Sequence, residues 1–273
     1  MSNNPYAALV AKVRETRPLV HHITNYVTVT DCANITLGIG ASPVMADDIG
    51  EAADIAAIAS ALVLNMGTLN ERTIASSLAA GKAANAKGVP IVFDPVGAGA
   101  SRLRNETAAR FVSELKLSVL RGNVSEIRCV AGLASSTRGV DASGADASDI
   151  DSVAQMAAAL ATRLGCVVVV SGEVDVIADG TRLLLIENGQ IMLTSLTGTG
   201  CMCSSLVGSF CGAAGGDYFT AAAGAMLTMG AAGEIAFKNA GALGNGSFHG
   251  ALHDAISRMD VPTLERMARY REG

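Results

Sequence analysis

Apolar positions in this chain follow two periods that alternate. Residues 5–16 carry Ala8, Leu9 and Val13 on one face of a helix, and the short apolar run from Pro18 to Thr24 reads as a strand. A helix across Asp31–Leu37 follows. The pattern then predicts strand 41–46, helix 51–60, strand Ala61–Met66, helix 70–87, strand Pro90–Phe93, helix 105–115, strand 117–121 and helix 124–132. Strands that alternate with helices imply right-handed crossovers and a parallel sheet covered on both faces. The polar, Gly/Ser-rich residues 134–150 read as a surface loop before helix 151–164. Cys166–Ser171 is a β-branched run, a buried central strand, whereas Asp179-Gly180 and Asn188-Gly189 read as hairpin turns on either side of strand Leu183–Ile186. The sheet is therefore expected to finish in antiparallel strands. Beyond it the chain is expected to be helical, near 201–214, 218–239, 247–258 and 262–271.

The stretch Leu193–Cys201 (LTSLTGTGC) leaves an apolar, strand-like segment and opens into an Ala/Gly/Ser helix. Unpartnered N–H groups and the positive dipole end make such a helix start a place for an anion. No Lys follows the glycines, and the spacing matches neither a P-loop nor a dinucleotide fingerprint, so a plain tight turn is an equal reading of the glycines alone. Cys201 adds a thiol whose pKa a helix start would lower.

Composition narrows the classes. Half of the 273 residues are apolar and 16% are charged, which suits many buried helices and burial in an oligomer, and one α/β domain over 1–273 is favoured over two. A net charge of −5 argues against nucleic acid. The start shows no basic segment followed by an apolar run, so a cytoplasmic location is expected. The uncharged residues 188–216 are broken by Ser, Thr and Gly, which disfavours a membrane span. The six cysteines lack paired spacing, which fits neither a zinc nor a disulfide framework, and most read as buried small hydrophobes.

Polar residues gather where strands end, the usual ligand side of an open α/β sheet. Strand Pro90–Phe93 runs into Asp94 ahead of a Gly-rich loop, a carboxylate at the strand tip that could serve a ligand or cap the next turn. The next strand runs into Arg121-Gly122-Asn123 with Glu126 three positions on, where the pair could offer oxygens to Mg²⁺ or form a capping box. Asn65-Met66-Gly67-Thr68 and Ser171-Gly172-Glu173 close two further strands. His249 and His253 have i, i+4 spacing without a Glu between them, and read as packing or surface residues rather than zinc ligands; His21 and His22 read as hydrogen-bonded core.

The strings HHITNYVTVTDCAN, ASPVMADD, ALVLNMGTL, VFDPVGAGASRLR, RGNVSEI and TSLTGTGCM are collinear over nearly the whole chain, and together resemble the hydroxyethylthiazole kinases of the ribokinase-like superfamily. The resemblance implies transfer of the ATP γ-phosphate to the hydroxyl of 5-(2-hydroxyethyl)-4-methylthiazole, with Mg²⁺ and a homotrimer. It also implies residue roles. Met45, Gly198, Asn25 and Gly67 would contact the thiazole, and Arg121, Ser171 and Asn123 the nucleotide. Gly198, Thr199, Gly200 and Cys201 would form the catalytic turn, while Asp94 and Glu126 would serve the metal. Cys201 stands where other ribokinase-like enzymes have an Asp base, which speaks against a pyridoxal or hydroxymethylpyrimidine kinase. A nicotinamide-hydrate dehydratase of the same superfold and a silent nucleotide-binding scaffold are the alternatives from other classes.

Overall fold

A computed structural model describes residues 4–133 and 149–273, together with the backbone of 137–138 and 141–142. In chain order the elements are α1 (Pro5–Thr16), β1 (Leu19–Ile23), α2 (Val29–Ile39), β2 (Ser42–Val44), α3 (Ala52–Ile58), β3 (Ala61–Asn65), α4 (Glu71–Lys87) and β4 (Ile91–Asp94). Next come α5 (Arg102–Glu114), β5 (Val119–Asn123), α6 (Val124–Ala131), β6 (Thr137–Arg138), β7 (Asp141–Ala142), α7 (Ile150–Leu164), β8 (Val167–Ser171), β9 (Asp175–Ala178) and β10 (Leu183–Ile186). A 3₁₀ turn (Ile191–Ser195) then leads to α8 (Thr199–Ala213), α9 (Tyr218–Ala240), α10 (Asn245–Ser257), α11 (Val261–Met267) and β11 (Tyr270–Glu272).

Nine strands form one sheet in the order β11-β10-β9-β8-β5-β4-β3-β1-β2, parallel from β8 to β2 and antiparallel from β8 to β11. Side chains alternate across the pleat, so Val63 and Val92 pack with α1, α2 and α8–α10 while Leu62, Leu64, Ile91 and Phe93 pack with α3–α7 on the other face. Strands buried on both faces have to be near-continuous apolar runs, and β3, β4 and β8 are. This is the mostly parallel, helix-flanked architecture that the pattern predicts. No helix among the described residues is long and apolar enough to cross a membrane.

Three expectations change. The last segment is not helical throughout: α11 ends at Met267, and Tyr270–Glu272 pairs antiparallel with β10. Its helix-compatible residues are overridden by an open sheet edge, with the Arg269 N–H on Asn188 Oδ1 (2.7 Å) and the Tyr270 ring edge-on to Tyr6 (5.1 Å) fixing the register. Asn188-Gly189 makes no hairpin. The Asn188 side chain is buried, donates to Glu234 Oε1 and the Met267 carbonyl, and sends the chain into the 3₁₀ turn instead of the strand-like segment expected before the glycines. The Asp179-Gly180 hairpin does form, with Gly180 at φ +91°. The loop expected at 134–150 lies outside the described residues, apart from a short β6–β7 antiparallel ribbon and the start of α7.

Candidate active site

Because β1, β3, β4, β5 and β8 are parallel, their carboxyl ends share one edge of the sheet, and Asn65 faces Asp94 there while Asn123 faces Ser171. The start of α8 docks over this edge. Gly198, at φ +86°, supplies its left-handed cap with no side-chain acceptor, so the first amides of α8 have no partner from a cap side chain. A Cβ on Gly198 would lie 2.5 Å from Thr28 Cγ2, and one on Gly200 would lie 2.9 Å from Arg121 Nη1. Only glycine permits both the turn and the close approach of the Arg121 guanidinium. Thr199 turns away from this surface: its hydroxyl donates to the Leu193 carbonyl (3.0 Å) and closes the preceding turn.

A polar chain crosses the strand tips. The Thr28 hydroxyl donates to Asn25 Oδ1 (3.1 Å), Asn25 Nδ2 to Asn65 Oδ1 (3.0 Å), and Asn65 Nδ2 to Asp94 Oδ2 (2.9 Å). Both amides also reach Cys201 Sγ, at 3.2 Å from Asn25 and 3.3 Å from Asn65. Ser204, one turn further along α8, donates to Asp94 Oδ2 (2.8 Å). The other oxygen, Asp94 Oδ1, is buried without a hydrogen-bond partner. Arg121 Nη1 lies 4.0 Å from Asp94, and its Nη2 donates to Ser171 Oγ (3.0 Å). Gly67 gives its N–H to Asn65 Oδ1 (2.9 Å), and Arg104 ties the two loops by donating to the carbonyls of Met66, Gly67 and Val96. Met45 is half-buried just after β2.

Charge is poorly balanced here. Burial raises the Asp94 carboxyl, only partly opposed by Arg121, Ser204 and Asn65. Glu126 is pushed up to about 7, by burial first and then by the charge of Asp94. Asp175, which accepts the Gly172 N–H, is likewise pushed to about 7 by burial. Burial also opposes the Arg121 charge, but the surrounding acidic groups keep it protonated. One guanidinium thus faces three carboxyl groups.

Two sequence expectations meet the geometry differently. The Asn123–Glu126 pair is a capping box: Asn123 Oδ1 accepts from the Glu126 N–H (2.9 Å), while Glu126 Oε2 accepts from the Asn123 N–H and Oε1 from the Gly97 N–H (both 2.8 Å). Each Glu126 oxygen spends one of its two lone pairs on these bonds, so an ion would meet it only at the lone pair that remains. The lowered Cys201 pKa expected of a helix start is reversed. Burial, followed by the Asp94 charge, pushes Cys201 up to about 11, which outweighs the roughly 0.2–1.5 units a helix dipole could take off.

The structure gathers Asn25, Gly67, Asp94, Arg121, Asn123, Glu126, Ser171, Gly198, Gly200 and Cys201 about this edge. Sequence reasoning passed over Ser204, Asp175 and the bridging role of Asn65. Ser204 was findable, since it follows Cys201 by one helical turn.

An open, mostly parallel sheet with a helix N-terminus and buried carboxylates at its strand tips is the ribokinase-like arrangement. Staphylococcus aureus pyridoxal kinase bound to pyridoxal shares the fold at TM-score 0.63 over 93% of this chain and 97% of that one, at 15% identity. The profile of the hydroxyethylthiazole kinase family matches residues 10–261, and the chain belongs to that family. It is 59% identical over 264 residues to the hydroxyethylthiazole kinase of Ruminiclostridium cellulolyticum, covering 97% of this chain and 96% of that relative. It is 56% identical to the enzyme of Clostridium beijerinckii, with 97% and 96% covered. The solved hydroxyethylthiazole kinase structure from Pyrococcus horikoshii OT3 superposes at TM-score 0.88 and 35% identity, over 98% of each chain.

Proposed function

We propose that the chain transfers the γ-phosphoryl group of ATP to the hydroxyl of 5-(2-hydroxyethyl)-4-methylthiazole in thiamine salvage. The hydroxyl oxygen forms a bond to phosphorus, the bond from phosphorus to the β,γ-bridging oxygen breaks, and one proton leaves with the products ADP and the phosphomonoester. The observation that carries this reading is the meeting of the α8 amides, the Arg121 guanidinium and the unpartnered Asp94 Oδ1 at one sheet edge.

Phosphoryl transfer asks a protein mainly for positioning and charge neutralisation. The amides of 199–201 hold the transferring phosphoryl oxygens, and Arg121, braced by Ser171, pairs with the phosphates. The Gly-rich turn brings the acceptor close to the backbone, while Asn25 and Gly67 line the acceptor side and Met45 adds apolar surface for a neutral ring. The Cys201 sulfur, receiving two amide N–H groups, stays a neutral thiol at neutral pH and marks where the hydroxyl sits.

The residues fit Mg²⁺ by one observation, the buried Asp94 oxygen without a partner beside a second acidic group. Asp94 Oδ1 would hold the ion, and Glu126, with both oxygens engaged, would act on it through water. Bound Mg²⁺ would offset phosphate charge. Exposed Tyr26 and Val27, next in sequence to Asn25, support burial against further copies of the chain.

Incubation with Mg-ATP and a panel of alcohols, followed by ³¹P NMR, tests the reading. A new phosphomonoester from the thiazole alcohol is expected. Preferential phosphorylation of pyridoxal or hydroxymethylpyrimidine, or repair of hydrated nicotinamide cofactor without phosphoryl transfer, would overturn it.

A further inference from the structure

Outside the strand-tip network, three ligand-type side chains converge from two helices. Asp31 lies in the first turn of α2, and His249 and His253 stand one turn apart on α10, which packs against α2. Asp31 Oδ1 is 3.1 Å from His249 Nε2 and 3.7 Å from His253 Nε2, and the three ligand atoms all lie within 4.8 Å of one another. The two imidazoles meet edge to face, centroids 4.9 Å apart. We propose that Asp31, His249 and His253 form a binding site for a borderline divalent transition metal ion of the Zn²⁺ type, separate from the Mg²⁺-ATP site.

An ion pair with one imidazole would satisfy Asp31; it does not require a second imidazole to aim the same nitrogen at the same oxygen. Three lone pairs meeting at this range repel unless protons or a cation lie between them. A tetrahedral ion with bonds of about 2.0–2.1 Å sets neighbouring ligand atoms about 3.3 Å apart, which falls between the two measured separations. Two imidazoles and one carboxylate suit Zn²⁺ and its neighbours in the transition series and do not suit Mg²⁺, which takes oxygen. All three residues are partly accessible, so an ion can enter and a fourth position stays open to water or a ligand. The site adjoins the substrate turn: Asp31 Oδ2 is 4.0 Å from where a Cβ on Gly198 would lie.

The test is calorimetric titration of the metal-free full chain with ZnCl₂, with the imidazole ¹⁵N resonances followed in parallel. One Zn²⁺ per chain at micromolar affinity or tighter is expected, with both His249 and His253 Nε2 resonances shifting. Outer-shell partners alone are worth about 10–100-fold in metal affinity, so His253→Gln and Asp31→Asn should each weaken binding at least tenfold. No binding at millimolar Zn²⁺, or binding of parental strength in both variants, as cysteine ligation would give, overturns the proposal. If a variant fails to fold, the parent decides alone, because Zn²⁺ that leaves either imidazole resonance unmoved is bound elsewhere.

Discussion

The two ends of the sheet use the same residue types in opposite ways. At the antiparallel edge charges stand in close pairs: Arg182 pairs with Asp179 (2.7 Å) and Asp217 (3.0 Å), and Arg269 grips both oxygens of Glu234 (2.7 and 3.0 Å) while also holding the Glu187 carbonyl. Asp179 stays at about 2 because N–H groups of Arg182 and Thr181, with the side chains of both, outweigh its burial. At the parallel strand tips Asp94 and Arg121 are buried, stand 4.0 Å apart, and leave Asp94 Oδ1 and Arg121 Nε without partners. One edge is built to stay folded, and the other holds unmet charge that a phosphate and its metal ion would meet. Leaving polar groups unmet costs stability, which marks such a place as a site rather than a scaffold.

The sharpest way to break this contrast is Asp94→Asn. Activity should fall on the order of 10³-fold, since a charge aimed at the reacting phosphates and their metal is lost. Stability should hold or rise. Burial already disfavours the Asp94 charge, and an Asn carbonyl can still accept from Asn65 and Ser204. A fall in melting temperature together with activity would place Asp94 in the scaffold instead.

The next effect concerns pH in the metal-free protein. Glu126 and Asp175 are raised to about 7 in the folded state from ordinary values near 4. The unfolded chain therefore loses these protons first. Their contribution is most favourable below about pH 4 and is lost as pH rises through 7, a decline on the order of a few kcal/mol. Mg²⁺ should flatten the neutral part of that curve by favouring the ionised carboxylates. Glu126→Gln should flatten it too, without Mg²⁺. Melting temperatures between pH 4 and 8 with EDTA or Mg²⁺ measure both, and a curve indifferent to Mg²⁺ would remove the metal from this edge.

What the sequence revealed and what it hid have physical causes. β3, β4 and β8 were legible because strands buried on both faces must be continuous apolar runs, and their tips announced Asn65, Asp94 and Ser171. The Asn123–Glu126 spacing was legible as a pair but not as a role, since a capping box and a metal pair share one spacing; the Asn123 N–H on Glu126 Oε2 shows the capping box, the Gly97 N–H, 29 positions away in sequence, takes the other oxygen, and the role toward the metal is a separate proposal. The Cys201 thiol was misread because the helix dipole is visible in sequence and burial is not. β11 was hidden because its partner strand, not its own residues, makes it a strand. The His249–His253 spacing was legible as packing or surface; that Asp31 meets the pair was hidden, as no local pattern joins positions more than 200 apart.

The paired edge offers a smaller effect. Asp179→Asn should lower stability by about 1–2 kcal/mol at neutral pH, a melting shift of roughly 2–8 °C, with kcat unchanged. In the parent this contribution, which depends on the ionised carboxylate, is present above pH 4 and lost as pH falls towards 2, opposite in sign to the strand-tip carboxyls. Activity that fell with stability would mean that the antiparallel edge and the strand tips are coupled.

The smallest effect tests how the strand-tip network works. A thiol with a pKa of about 11 is about 10⁻⁴ ionised at pH 7, and a rate that depended on its thiolate would climb tenfold with each pH unit. If Cys201 instead holds the hydroxyl in place as a neutral group between the Asn25 and Asn65 amides, the rate stays flat from pH 7 to 9. A loose transition state moves the proton late, so little base strength is needed. Cys201→Ala should then lose less than about tenfold, or roughly 1.4 kcal/mol, and keep the parent's flat profile. Cys201→Ser, which preserves an acceptor for both amides, should recover most of that loss. A tenfold rise per pH unit in the parent, abolished in Cys201→Ala, would restore the base and show that the unmet charge at the strand tips includes the sulfur.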